Sequence, residues 1–263
     1  MSGAEGFVPD VSIVLPVFNG AAFVEERVGA LCDFLESTDL SYEVIAVDDG
    51  SRDDSAERIH RLDRSHTRVL RLPRNEGKYA AVAAGMAECH GRCCLFTDAD
   101  VPYDLSALPR MVQLVVGRGF HLVIGDRTLP ESSYTEHLGP MRWLATRIFT
   151  VFVRLFVTGG VPDTQCGLKA FRADVAHGLF PLMRERGFAG DVELVYIALK
   201  YNLAIRRLPA RLVFQGRSSV RPLRDGFSML RAILALRRRW RTGAYASTGL
   251  EALGRDDTEA GGA

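Results

Sequence analysis

Tyr42–Asp54 reads YEVIAVDDGSRDD. YEVIAV is a compact apolar run that reads as a strand, and it stops abruptly at Asp48-Asp49-Gly50-Ser51. Asp53 or Asp54 then caps a helix running to about Asp63. The same strand–turn–helix unit repeats on both sides. Upstream, Val11–Val17 (VSIVLPV) ends at Asn19-Gly20, and Ala22–Ser37 follows with apolar residues at Phe23, Val28, Leu31 and Leu35. Downstream come a short strand at Arg68–Leu72, an Ala-rich helix at Gly77–Glu88, and a strand at Arg92–Thr97 ending in Asp98-Ala99-Asp100. A helix at about Leu105–Val116 and a strand at His121–Gly125 complete the series. Strands alternating with helices of this length predict an α/β fold, a mostly parallel sheet with helices on both faces. Ligands of such sheets bind beyond the carboxyl ends of the strands. Asn19, Asp48-Asp49, Asp98-Asp100 and Asp126-Arg127 all stand at those ends.

After Arg127 the pattern changes. Thr128–His137 is a polar loop, and Leu138–Val157 is helical and increasingly apolar. Leu168–Phe171 reads as a short strand, Asp174–Met183 and Gly190–Tyr201 as helices, and Leu203–Leu208 and Arg211–Phe214 as strands. Asp225–Arg241 is a basic helix, and Thr242–Ala263 is small, polar and without periodicity, which predicts a disordered tail. The division expected is an N-terminal extension (1–10), a main domain (11–220, with halves 11–127 and 128–220), a basic amphipathic helix (221–241) and the tail (242–263).

The chain has 263 residues, 47% of them hydrophobic, enough for one sizeable core. A net charge of +1 argues against whole-molecule steering to nucleic acid, and no nucleic-acid partner is expected. No run of 18 apolar residues occurs, and the first ten residues carry no secretory pattern. Five cysteines, an odd number without a CxxC pair, read as buried reduced thiols of a cytoplasmic protein.

Asp98 and Asp100 are two apart, so in extended backbone they project to the same side. Two carboxylates there repel unless a cation relieves them, and a hard divalent ion, Mg²⁺ or Mn²⁺, suits oxygen ligands. The competing reading is a solvated acidic turn that caps the next helix. Asp48 or Asp49 can accept from a base or ribose, or simply make a turn. Gly77 and Lys78 open a helix whose first N–H groups can face a phosphate, although a surface lysine beside a cap is common.

Taken in order, VSIVLPVFNG, YEVIAVDDGSRDDS, RLPRNEGKYAAVAAGM, CCLFTDAD, LVIGDR, DTQCGLKAF and GDVELV resemble the family-2, A-type inverting glycosyltransferases. The likeness is to their dolichyl-phosphate β-glucosyltransferase and polyprenyl-phosphate mannosyltransferase branch, over about Ser12–Val220. It implies a GT-A-like nucleotide-binding sheet. It places Pro16, Phe18 and Asn19 near the nucleotide, Asp48 or Asp49 on the base, and Gly77 and Lys78 beside the nucleotide sugar. It implies that Asp98 and Asp100 hold the metal on the diphosphate and that Arg127 lies near the acceptor phosphate. Gln165, Cys166, Gly167 and Lys169 match one family segment, and Asp191 and Glu193 another. Asp126 stands where the family has Ser, Gly190 where it has Phe, and Pro102 where mannosyl members carry Gln.

The activity implied is metal-dependent, inverting transfer of a hexose from UDP-glucose or GDP-mannose to a polyprenyl or dolichyl phosphate. A phosphate acceptor is already largely ionised at neutral pH and needs cations more than a base. Arg127, Arg142 and Arg217 are the candidates to position it, with Gln165 and Lys169. A hydroxyl acceptor, soluble or a natural product, is the alternative and needs Asp191 as general base. Asp191 and Glu193, two apart on a helix, point about 200° apart and cannot both face one substrate. A nucleotidyltransferase lacks support, because Val17–Ala22 carries no cation. A non-catalytic membrane module is at odds with the intact Asp98 and Asp100. Gly216–Arg241 carries eight arginines against Asp225 alone, and Met229, Ile233, Leu236 and Trp240 form an apolar stripe. With Leu138–Val157, this predicts peripheral contact with the inner face of a membrane.

Overall fold

The computed structural model describes residues 8–132, 161–187, 189–213 and 234–260. Leu138–Val157, Arg142, Arg217 and most of the Asp225–Arg241 segment lie outside the described residues. The elements in chain order are β1 (Val11–Val17), α1 (Val24–Glu36), β2 (Tyr42–Asp48), α2 (Ser55–Arg61), β3 (Thr67–Arg71) and α3 (Lys78–Ala87). They continue with β4 (Cys93–Phe96), α4 (Ala107–Val112, closing in a wide turn over Gln113–Gly117), β5 (Leu122–Asp126), β6 (Lys169–Arg172) and α5 (Ala173–Leu179). Last come α6 (Gly190–Lys200), β7 (Ile205–Pro209), a helical stretch at 234–241 (α7) and α8 (Thr248–Ala260).

The strands form one seven-stranded sheet in the order β3-β2-β1-β4-β6-β5-β7. β6 runs antiparallel to both β4 and β5, and the other pairs are parallel. The expected mostly parallel sheet is therefore present, with one reversed strand inserted. Both faces are covered, because successive residues of a strand point to opposite sides. Ile13 and Leu15 of β1 pack with Val28 and Leu31 of α1 and Met111 of α4. Val14, between them, belongs to the core on the other face, with Val82 and Met86 of α3 and buried residues of α5 and α6. An apolar run with no polar face fits a strand buried on both sides. Helices whose residues match the core stripes land on whichever face their preceding strand presents.

Two expectations fail. Arg211–Phe214 is not a strand over its described residues: only Leu212 pairs, in a single antiparallel bridge with Tyr103. The segment after 242 is not structureless, because α8 forms there and buries Leu250 completely. Its low hydrophobicity hid its apolar contacts: Leu250 lies against Gly178 of α5, and Leu253 packs, partly buried, on the same core. Leu236 and Trp240 of the basic helix also face the protein. Leu236 is buried, and Trp240 meets Tyr196 and Tyr201 edge-on. All five cysteines are free and buried, as expected.

Candidate active site

The strand ends of β1, β2 and β4 converge, and short polar links join their loops. Asn19 adopts a left-handed backbone (φ 50°), the conformation that closes the turn after β1. Its N–H donates to Ser51 Oγ at 2.9 Å, and its Oδ1 accepts from the Arg52 N–H at 2.9 Å. Phe18 beside it is exposed, while Pro16 is half-buried in the strand. Asp48 is fully buried, caps the Ser51 N–H at 2.9 Å and lies 3.1 Å from Arg71 Nε. Asp49 reaches further. Its two oxygens accept the Glu76 and Gly77 N–H groups at 2.7 and 2.9 Å, fastening the start of α3 to the end of β2. Gly77 itself has φ 102°, a backbone that only glycine adopts without strain.

That fastening presents Lys78. Its ammonium lies 2.5 Å from Asp98 Oδ1 and 6.0 Å from the Phe96 ring centre. Burial pushes the ammonium toward neutrality, but the charges of Asp98 and Asp191 outweigh it and raise the Lys78 pKa. Asp100 is partly buried, and burial together with the Asp98 charge raises its carboxyl pKa. The turn that carries them, 98–101, is strained at its end: Val101, β-branched, is held at φ 43° with its N–H on the Asp98 carbonyl at 2.9 Å.

Two hard-oxygen carboxylates at a strand tip fit a divalent cation. Among the described residues no third His, Cys, Asp or Glu joins them. Such an ion would keep positions for diphosphate oxygens and water. Gly167 walls the site: a Cβ there would stand 2.1 Å from Asp98 Oδ2, so only glycine lets the carboxylate sit against this backbone.

A second set of residues lies behind the first. Lys169 is fully buried, pairs with Asp191, donates to the Cys166 carbonyl at 2.7 Å and stands 5.3 Å from the Phe96 ring centre. The Tyr79 hydroxyl donates to the same Asp191 oxygen at 2.5 Å. Asp191, considered as a base, is thus 2% exposed and doubly engaged. Glu193 points elsewhere, in keeping with the helical angle between them. Gly190, where the family has Phe, leaves room for the Tyr79 ring, which a Cβ would approach to 2.3 Å.

Arg127 is fixed by Asp163 through its own N–H (2.9 Å), Nε (2.8 Å) and Nη2 (2.9 Å). Gln165 follows in the same turn, its N–H on Asp163 Oδ1 at 3.1 Å. Asp126, replacing Ser, is buried and pairs with Arg207 at 3.0 Å. The Asp49–Lys78–Asp98 cluster and the Arg127–Gln165–Lys169 cluster therefore lie on adjoining strand ends, bridged by Gly167 against Asp98. Sequence reading missed Tyr79 and Asp163. Asp163 opens the Asp-Thr-Gln-Cys-Gly segment and was the one acid there able to answer Arg127. Nothing in the local pattern marks Tyr79.

The model of glycosyl transferase family 2 matches residues 12–180, which spans β1 to α5. The chain belongs to this family. As a family-2 glycosyltransferase it has the GT-A fold that the resemblance of its motifs implied. It is 30% identical over 254 residues to the dolichyl-phosphate β-glucosyltransferase of Drosophila melanogaster, covering 90% of this chain and 77% of that one. With the enzyme of the same name from Dictyostelium discoideum it is 28% identical over 248 residues, covering 89% and 76%. Among solved structures it is similar to glucosyl-3-phosphoglycerate synthase from Mycobacterium tuberculosis in complex with UDP. That match has a TM-score of 0.64 and 23% identity, covering 88% of this chain and 80% of that one. The motif order read from the sequence thus belongs to the family it resembled.

Proposed function

We propose that this glycosyltransferase moves glucose from UDP-glucose to a polyprenyl or dolichyl phosphate, with inversion and with Mg²⁺ or Mn²⁺ at Asp98 and Asp100. The relatives named above act, by their names, on dolichyl phosphate, and Pro102 in place of Gln favours glucose over mannose. One observation of geometry carries the choice of acceptor. Asp191, the carboxylate that a hydroxyl acceptor would need as base, is buried beneath Lys169 and Tyr79. A phosphate monoester, with its second pKa at about 6, attacks without such help.

The residues then divide the work. Asp49 frames the donor loop, and Phe18 and Asn19 border the same strand end, where the base would lie. A divalent cation held by Asp98 and Asp100 would offset the negative charge that develops on the departing diphosphate. Lys78, already at Asp98, adds a second positive charge beside that group. Arg127, set by Asp163, faces the acceptor side with Gln165, where guanidinium geometry suits phosphate oxygens. Arg142 and Arg217 are proposed for the same acceptor. Attack from the face opposite the leaving group inverts the anomeric carbon.

No helix among the described residues is long and apolar enough to cross a membrane. Peripheral contact at the cytoplasmic face is the arrangement proposed, through Arg237, Arg238 and Arg241, which remain exposed after Leu236 and Trp240 have packed inward. The test is to incubate the protein with radiolabelled UDP-glucose or GDP-mannose, Mg²⁺ or Mn²⁺, and a polyprenyl phosphate. Label from UDP-glucose should enter the organic phase. Label confined to aqueous products with both donors would overturn the lipid-phosphate reading.

A further inference from the structure

Glu193 has no part in the chemistry above, yet it is a fully buried carboxylate with donors on both oxygens. Oε2 accepts the backbone N–H groups of Arg184 (2.8 Å) and Glu185 (2.7 Å). Oε1 accepts the Tyr245 hydroxyl at 2.5 Å and lies 3.3 Å from Arg239 Nη1. One oxygen thus holds the loop before α6, and the other is held by the C-terminal segment. Arg239 also reaches Glu185 at 2.6 Å, tying the same two pieces together a second time. A buried charge persists only when compensated in this way.

The far side of that loop touches the donor site. The Arg186 carbonyl accepts the Tyr79 N–H at 2.9 Å, and a Cβ on Gly77 would come within 2.5 Å of the same oxygen. The Arg186 side chain pairs with Glu76. Residues 76–79 are therefore clamped between Asp49 on one side and Arg186 on the other, with Lys78 in the clamp.

We propose that Glu193 is a positioning residue for the donor site: through the 184–187 loop it sets the start of α3, and so Lys78, while Tyr245 and Arg239 lock Glu193 from the C-terminal segment. The inference rests on the donor reading above, and it makes the C-terminal segment a functional part of the enzyme although it lies beyond the residues matched by the family model.

The test is amide hydrogen exchange on the full chain, paired with steady-state kinetics in UDP-glucose and Mn²⁺, for Glu193→Ala, Glu193→Gln and Tyr245→Phe. In Glu193→Ala, the Arg184 and Glu185 N–H groups lose their acceptor, and exchange at 76–79 should rise about tenfold while β1 and β2 stay protected. The KM for UDP-glucose should rise about tenfold with a smaller change in kcat, because a displaced Lys78 weakens diphosphate binding. Glu193→Gln keeps an oxygen for both N–H groups and should restore protection to within about threefold of the parent. Tyr245→Phe, which leaves the loop contacts in place, should speed exchange at 76–79 about threefold and serves if Glu193→Ala does not fold. Unchanged exchange at 76–79 in the folded variants, or a uniform rise that includes β1, overturns the proposal. Faster exchange at 76–79 with unaltered KM upholds the mechanical link and counts instead against the donor reading.

Discussion

At the scale of single residues, the site is governed by where small side chains let large ones approach. Gly167 is the sharpest case. Replacing it with Ala puts a methyl group against Asp98, so the carboxylate must move while the fold survives. A displacement of this size predicts a loss of roughly 100-fold in kcat/KM with little change in melting temperature. Asp191→Asn separates the two roles considered for that residue. Leaving Lys169 buried without its anion should destabilise the protein by about 3–5 kcal/mol, read from denaturant melts. A variant of parental stability that has lost only kcat would instead restore Asp191 as a base. Asp163 supplies a pH signature. Burial raises its pKa, but the Arg127 hydrogen bonds and charge prevail and hold the carboxyl below the ordinary range. Its pKa is thus lower folded than unfolded. The pair's contribution is fully present above about pH 4, the unfolded value, and is lost as pH falls through the lower folded pKa. Asp163→Asn should flatten the acid limb of the stability profile measured by thermal melts. The carboxylates proposed for the donor site, Asp48, Asp49, Asp98 and Asp100, could be picked out from the sequence because each ends or follows a strand in the chain. The partners of Asp191 and Arg127 could not, since Tyr79–Asp191 and Arg127–Asp163 join residues 112 and 36 positions apart.

At the scale of elements, periodicity located β1 to β5 and the helices between them to within about two residues, because each has an apolar run or stripe of its own. It failed at α8. That helix is mostly polar, and it docks through Leu250, buried against α5, and the partly buried Leu253, contacts that no local pattern announces. Leu250→Ala should cost about 2–5 kcal/mol, measured as a lowered denaturation midpoint. An unaltered midpoint would show that the segment adds nothing to the folded core. The reversed strand β6 was read as a strand from Leu168–Phe171, but its direction was not. Its entry between β4 and β5 is what carries Lys169 under Phe96 and Gly167 against Asp98.

At the scale of the whole molecule, the C-terminal half of the basic helix separates two properties that the sequence merges. Its apolar stripe packs inward through Leu236 and Trp240, while Arg237, Arg238 and Arg241 stay outside. Membrane contact should therefore be electrostatic. Replacing the three arginines by Ala should weaken binding to anionic vesicles by about 1 kcal/mol each in co-sedimentation, and added salt should do the same to the parent. Binding to neutral vesicles that salt does not affect would point to insertion of apolar residues instead.

The amino-acid order by itself determined the alternation of strands and helices, the mostly parallel character of their sheet and the acidic tips of β2 and β4, since all of these follow from neighbours in the chain and the spacing of apolar side chains. Only the folded packing decided which charges are used up and which remain available. Lys78 rests on Asp98, Lys169 and Tyr79 enclose Asp191, and Glu193 ties the C-terminal segment to the backbone of Arg184 and Glu185. A buried ion pair is chosen by proximity across elements and by the desolvation that comes with it, and neither is written in the spacing along the chain.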